Sequence, residues 1–342
     1  MARDRVRVVV AGVPRSYQRP FGDGRWLTEA HVARIVSVSE RVELIHVTRA
    51  ELERGAVPEL PDVLLIESSG EEPYLDEIPA EGFARLVTPR LRWVQSCSSG
   101  VGHILNLGLL GDDVLLTNAA GVHAAALAES VIAGVLSHAK RLPERVARQR
   151  ERRWEELHCR ELRGQTMLVI GTGNIGLATA RLAGAFQMRL LGVRATPAPL
   201  DGFERVGGPG VLPDLLAEAD YIVIACPLTP ETEGLLGPDA FAVTKRGAYL
   251  LNVSRGKVVQ EAALLAALGD GTLSGAYLDA HAQEPLPDDH PLWDAPGVSI
   301  IPHDSHSSPY IGDNIVDLFA ENLRCYLAGE SLRNVVDRRR GY

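Results

Sequence analysis

Apolar residues fall along the chain in short runs of strand length, separated by stretches with helical spacing. In the first third these runs are Val6–Ala11, Val42–Val47, Val63–Ile66, Leu91–Gln95 and Val114–Thr117. They are contiguous rather than alternating, as expected of strands covered on both faces of a parallel sheet. Between them, Leu27–Val38 and Phe83–Val87 carry helix-like spacing, and Pro14–Asp23 reads as loop. An Ala-rich helix is predicted from His123 to about Leu142, where Pro143 interrupts the pattern. The charged run Glu144–Glu156 reads as a solvated face or an exposed connector. A second series of runs comes after it: Thr166–Ile170, Arg189–Val193, Tyr221–Ala225, Lys245–Asn252, Gly275–Leu278 and Val298–Ile301. Helices are predicted at Leu177–Phe186, Pro213–Ala219, Glu261–Leu268 and from Pro309 to about Leu327, with loop over Pro197–Pro213. Strand and helix alternating in this way predict two α/β halves with parallel sheets, joined by one long helix.

The run Thr166–Ile170 stops at Gly171, and Gly171, Gly173 and Gly176 then form G-x-G-x-x-G ahead of a helix and a second strand. That strand–turn–helix–strand setting raises the glycine pattern above a chance match and points to a dinucleotide site. Gly171 allows the tight turn, the missing side chain at Gly173 lets a pyrophosphate approach the backbone, and Gly176 lets helix and strand pack closely. Asn174 and Ile175 open the helix, whose free N–H groups face the anion. An acidic residue about 20 positions on would bind the adenosine ribose. Here Arg194 ends the second strand, 18 positions after Gly176, and no acid occurs until Asp201. A guanidinium suits a 2′-phosphate and leaves a plain ribose without an acceptor, which favours NADP over NAD. A solvent-facing Arg194 is the bland alternative.

At 342 residues the chain suits two domains. Its net charge of −9 argues against nucleic acid or an anionic membrane surface as partner. Only three of the 35 basic residues are lysines, which reads as coding bias more than chemistry. No apolar run reaches membrane-spanning length, and the first residues do not read as a signal peptide. Cys97, Cys159, Cys226 and Cys325 are scattered without a C-x-x-C, so neither a disulfide framework nor a metal site is expected. The expected location is the cytoplasm.

Chemistry collects past the strand ends downstream of the glycine turn. Arg255 (NVSRGKVV), Glu284 (LDAHAQEPLP) and His303 (IIPHDSHSSP) each come after an apolar run. On a parallel sheet all three emerge at the carboxyl edge, with the cofactor. Together they suit reduction of a 2-oxo acid. Arg255 clamps the carboxylate, protonated His303 supplies a proton to the carbonyl oxygen, and Glu284 fixes the imidazole's tautomer and raises its pKa. Taken singly, each has a bland reading as a surface arginine, a loop charge or a structural histidine. The loop Ser96–Gly102 (SCSSGVG) stands at another strand end, where ligands also sit.

Taken as a set, these segments resemble the D-isomer-specific 2-hydroxyacid dehydrogenases over nearly the whole chain. The resemblance rests on TNAAGVHAAALAES, ELRGQTMLVIGTGNIG, PLTPETEGLL, NVSRGKVVQEAALLAAL, GAYLDAHAQEPLP, HPLWDAPGVSIIPH and ENLRCYLAGESLRNVVD. It implies two Rossmann-like doubly wound domains with the active site in the cleft between them. Residues 1–118 with 308–342 would form the substrate domain, and 119–307 the dinucleotide domain. It also implies Arg255, Glu284 and His303 as the catalytic set, with backbone donors to the substrate carboxylate at Ser99 and Gly100. Asp279 would meet the nicotinamide amide, and Pro227, Thr232, Val253 and His303 would line the cofactor. A homodimer through the region around 119–150 is implied as well.

Two positions depart from the family pattern. His306 stands where a small residue is common, and His281 where an aromatic residue usually comes after the Asp-x pair. His303 and His306 lack a third ligand in the sequence, so a metal is not expected. The departures bear on the substrate rather than on the reaction. Glyoxylate or hydroxypyruvate reduction with NADPH is the leading expectation. The chain ends soon after the terminal helix, which sets aside a phosphoglycerate dehydrogenase with an appended regulatory domain. Glu284 sets aside formate dehydrogenase. A non-catalytic NAD(P)-binding sensor or co-repressor-like scaffold is the rival reading.

Overall fold

The structure is a computed structural model that describes residues 5–11, 26–48, 51–52, 54–55, 61–66 and 80–339. The loop expected over Pro14–Asp23 lies outside them. The chain divides into two compact units, Met1–His123 with Ser307–Tyr342, and Ala124–His306.

The first unit is built on five parallel strands, β1 (Val6–Ala11), β2 (Val42–Val47), β3 (Val63–Ile66), β4 (Trp93–Ser96) and β5 (Leu115–Thr117). Their spatial order is β2-β1-β3-β4-β5, a doubly wound arrangement in which the chain reverses direction beside β1. On one face Ile311, Ile315, Phe319 and Leu323 recur every four residues along the final helix, Ile311–Ala328. That stripe packs on Val8, Leu65 and Trp93, with Phe319 stacked on Trp93 at 5.2 Å between ring centroids. The residues most distant in sequence from the N-terminal strands thus complete their core. Burial of a side chain such as Phe319 contributes about 1.5–3 kcal/mol. A buried polar chain reinforces the join: Trp93 Nε1–H donates to Thr117 Oγ1, Thr117 donates to Gln95 Oε1, and Asn322 Nδ2 donates to the same oxygen.

The second unit has seven parallel strands in the order β12-β11-β10-β9-β6-β7-β8. They are β6 (Thr166–Ile170), β7 (Arg189–Val193), β8 (Arg205–Gly207), β9 (Tyr221–Ile224), β10 (Ala248–Asn252), β11 (Leu273–Leu278) and β12 (Val298–Ile300). Apart from the edge strands β8 and β12, whose residues are half-buried or exposed, their side chains are largely buried, which is why they read as continuous apolar runs. Alternate residues feed two cores, Leu168, Ile222 and Leu250 on one face, Met167, Val223 and Leu251 on the other. The helix Ala124–Ala139 lies on the second face, where Gly134 permits close approach: a Cβ there would stand 2.8 Å from the Tyr277 ring.

Several elements differ from the sequence expectation. The Ala-rich helix ends at Ala139, and Arg141 turns the chain with a φ of 54°. Pro143 then occupies the first turn of a new helix, Leu142–Arg150, where a missing N–H costs nothing. Half of the charged run is therefore helical, and that helix has no buried residue. The segment expected as loop over Pro197–Pro213 contains β8, which pairs with β7 through three residues. Its register comes from its neighbour, not from any pattern of its own. Short helices at Gly102–Asn106 and Pro238–Val243 were not legible in the apolar spacing.

Candidate active site

At the glycine turn the three glycines serve different ends. Gly171 has φ +96°, and a Cβ on it would stand 2.5 Å from the Cys226 backbone nitrogen. A Cβ on Gly176 would stand 2.1 Å from the Gly171 carbonyl oxygen. Both are required by the protein's own packing. Gly173 meets nothing within 4 Å, so its bare backbone faces open space. It is the N-cap of the helix Asn174–Ala185, which has no side-chain cap. Exposed Asn174 and half-buried Ile175 form its first turn. Uncapped N–H groups beside an open backbone fit a pyrophosphate. The sheet order turns in opposite directions from β6 toward β7 and β9, so this turn lies at the topological switch point where α/β sheets take ligands.

Arg194, half-buried, ends β7, and its N–H donates to the Gly207 carbonyl on β8 at 3.0 Å. Among the described residues its guanidinium has no carboxylate partner. After β9, exposed Pro227 and half-buried Thr232 shape the next loop: Thr232 Oγ1 donates to the Pro227 carbonyl at 2.7 Å and accepts the Thr229 N–H at 2.8 Å. Val253, buried, comes directly after β10. Asp279 comes directly after β11 and is 2% exposed. One of its carboxylate oxygens accepts the Ser305 N–H at 3.0 Å.

Arg255, Glu284 and His303 all lie in this same unit, on the segments that leave β10, β11 and β12 at the carboxyl edge. His303 Nδ1–H donates to Glu284 Oε2 at 2.7 Å. The other carboxylate oxygen accepts the His281 backbone N–H at 2.9 Å. Burial works to raise the Glu284 carboxyl, but the hydrogen bonds from the His303 ring and from the His281 backbone, with the His303 charge behind them, outweigh it. The carboxyl is held below its usual range and stays ionised. With Nδ1 committed to Glu284, His303 has Nε2 left for chemistry. Arg255 is exposed, and Asn252 frames it: the Asn252 amide donates to the Arg255 carbonyl and accepts the Ser254 N–H. The ring of His306 stands edge-on to His303 at 6.4 Å. No group of three or more residues suited to a metal occurs among the described residues.

The loop with Ser99 and Gly100 belongs to the first unit. It is tied to the end of β5, since Asn118 Nδ2 donates to the Ser99 carbonyl and the Ala119 N–H to the Ser98 carbonyl, both at 3.0 Å. Two site residues, Asn252 and Ser305, escaped the sequence reading. Asn252 closes an apolar run with a single amide, a signal that could have marked it. Ser305 holds Asp279 and also meets the Tyr277 hydroxyl at 3.1 Å. His281 was legible only as a departure from a pattern, yet its N–H donates to Glu284 and its ring shares the Ile301 carbonyl with the His303 N–H.

Comparison with known proteins points to one family. The sequence pattern of the family described as D-isomer specific 2-hydroxyacid dehydrogenase, NAD binding domain, matches residues 132–305. A glyoxylate reductase of Korarchaeum cryptofilum is 33% identical, over 77% of this chain and 80% of its own length. A glyoxylate/hydroxypyruvate reductase B of Yersinia enterocolitica is also 33% identical, over 73% of this chain and 78% of its own. A D-isomer specific 2-hydroxyacid dehydrogenase from Xanthobacter autotrophicus, crystallised with NADPH and MES, superposes with a TM-score of 0.81 at 30% identity. That match covers 99% of this chain and 100% of the other. The chain belongs to the D-isomer-specific 2-hydroxyacid dehydrogenases, NAD(P)-dependent oxidoreductases.

Proposed function

We propose that this enzyme reduces small 2-oxo acids of the glyoxylate or hydroxypyruvate kind to D-2-hydroxy acids with NADPH. The observation that carries the reading is the 2.7 Å His303–Glu284 pair, in the same unit and at the same sheet edge as the open glycine turn. The glyoxylate reductases among its relatives support the substrate class.

Gly173 and the first turn of its helix would hold the pyrophosphate, and Arg194 the 2′-phosphate. When bound, the cofactor supplies the hydride to the substrate's carbonyl carbon. Arg255 binds the substrate carboxylate bidentately and orients the carbonyl. The Ser99 and Gly100 N–H groups are proposed as further donors to that carboxylate. His303 gives its Nε2 proton to the carbonyl oxygen as negative charge develops there. Glu284 remains ionised throughout, keeps the Nδ1 proton in place and stabilises the imidazolium before the transfer.

A homodimer is proposed through the region around 119–150, continuing into the segment just after it. There Trp154 is 101% exposed, and Leu142 and Val146 are each 46% exposed on a helix with no buried residue. Such apolar exposure favours an interface. The cytoplasm is proposed as its location, in keeping with cysteines that form no disulfide.

Initial rates with a panel of 2-oxo acids and both cofactors test the reading. NADPH should outperform NADH, and Arg194→Ser should erase that preference by about ten- to a hundredfold, the worth of one or two charge-assisted hydrogen bonds. His303→Ala should abolish turnover while cofactor binding persists. A parent protein that binds NADPH but is inert across the panel would favour a sensor over an enzyme.

A further inference from the structure

His281 is joined to both halves of the His303–Glu284 pair. Its side chain is buried, 9% exposed, just past the end of β11. Its backbone N–H donates to Glu284 Oε1 at 2.9 Å. Its ring nitrogen Nε2 stands 3.1 Å from the Ile301 carbonyl oxygen. A carbonyl only accepts, so Nε2 carries a proton, and a buried Nδ1 with no acceptor to take a second one leaves the ring as the neutral Nε2–H tautomer. Nδ1 is then bare, and it is buried without a partner among the described residues.

The Ile301 carbonyl has a second donor. The His303 N–H reaches it at 2.9 Å, closing a tight turn over Pro302. His303 itself sits at φ +53°, a left-handed conformation that costs a residue with a Cβ about 1–2 kcal/mol. One oxygen therefore gathers the ring of His281 and the backbone of His303. The segment after Arg255 is keyed to the same place, since a Cβ on Gly256 would stand 2.0 Å from the His281 carbonyl carbon.

The backbone bond to Glu284 would survive any side chain at this position. The ring bond to Ile301 needs a donor placed where His281 Nε2 lies. An apolar ring would fill the space and leave that lone pair of the carbonyl without its partner, with one constraint fewer on the strained turn.

We propose that the His281 imidazole is a positioning residue, which through the Ile301 carbonyl holds His303 in the conformation that aligns its Nδ1–H with Glu284. This inference deepens the proposed reaction and rests on that reading for its kinetic arm, while its spectroscopic arm stands apart. Glu284 faces the ring's own segment, and His303 and Asp279 are the other titratable groups on the segments gathered there.

The test compares His281→Phe, which keeps a ring and removes the donor, with His281→Gln, whose amide nitrogen reaches the position of Nε2. Imidazole ¹⁵N–¹H NMR of the full-length protein reads the tautomer of His281 and the titration of His303, whether or not turnover occurs. The parent should show His281 as Nε2–H. In His281→Phe the His303 midpoint should fall, because a loosened Glu284 stabilises the imidazolium less, and kcat should drop about five- to tenfold with the NADPH KM unchanged. In His281→Gln both should return to within about twofold of the parent. An Nδ1–H tautomer at His281, or a His303 midpoint equal in all three proteins, would overturn the proposal. Equal loss in both variants would do so too, by showing that the site tolerates only histidine for its shape. A parent without turnover but with the expected NMR pattern would count against the proposed reaction and leave the positioning role supported.

Discussion

Replacing His138 by Phe should flatten the acid sensitivity of the second unit. His138 lies on the Ala-rich helix, stacked over Tyr249 at 4.1 Å and 16° between planes. Ser274 Oγ donates to the Ala248 carbonyl at 3.2 Å, so it accepts from His138 Nε2–H at 3.1 Å. His138 Nδ1 then accepts the Tyr221 hydroxyl, at 3.4 Å. Both nitrogens are satisfied in the neutral ring. Burial first, and then the charge of Arg160, lower its pKa from 6.5 to about 4, against a smaller opposing pull from Glu144. In the unfolded chain the group titrates near 6.5, so between those values the unfolded state binds one more proton. Stability is therefore complete above pH ~6.5 and lost as pH falls toward ~4, with a slope of up to about 1.4 kcal/mol per pH unit. The full interval corresponds to roughly 3.4 kcal/mol, which partial exposure to solvent reduces to about 2 kcal/mol. Phe keeps the stack and removes the titration. It also leaves the Tyr221 hydroxyl, on a residue 0% exposed, without its acceptor, at about 1–3 kcal/mol. Urea unfolding at matched ionic strength should find His138→Phe less stable than the parent at pH 7.5. The difference should hold down to about pH 6.5 and then shrink by about 1 kcal/mol by pH 5. A gap that stays constant across that range would refute the assignment of the proton linkage to His138.

The glycine turn separates folding from binding. Gly173→Ala should fold with a melting temperature close to the parent's, since a Cβ there meets nothing within 4 Å, yet weaken NADPH binding in a fluorescence titration. Gly176→Ala should instead destabilise by several kcal/mol, visible in thermal melting without cofactor, because the new Cβ meets the Gly171 carbonyl at 2.1 Å. Glu284→Gln should lower kcat about a hundredfold and move the basic limb of its pH profile to lower pH, as the imidazolium loses its anion. The same change should remove a stabilising contribution that the parent shows above the unfolded carboxyl pKa and loses as pH falls through the depressed folded value, measurable as a smaller stability difference at pH 3 than at pH 7. If the proposed homodimer forms, analytical ultracentrifugation should find a dimer for the parent and a monomer for Trp154→Glu, with an unchanged fold by circular dichroism.

Much of this enzyme was decided locally and could be read along the chain. Strands covered on both faces appear as unbroken apolar runs, and Thr166–Ile170 before Gly171 carries its turn and helix in adjacent residues. Arg255, Glu284 and His303 were legible because parallel strands deliver the residues at their carboxyl ends to one edge. The tertiary structure decided every feature that depends on partners far apart in sequence. The edge strand Arg205–Gly207 exists because β7 offers it hydrogen bonds, and the core under Trp93 closes only when a helix more than 200 residues later lies on it. His281 belongs to this second class: nothing in its own neighbourhood says that its ring and the His303 backbone share one carbonyl. Backbone propensity and apolar periodicity act over a few residues, whereas a hydrogen bond between strand ends is set by sheet order and by which oxygen the turn leaves facing inward.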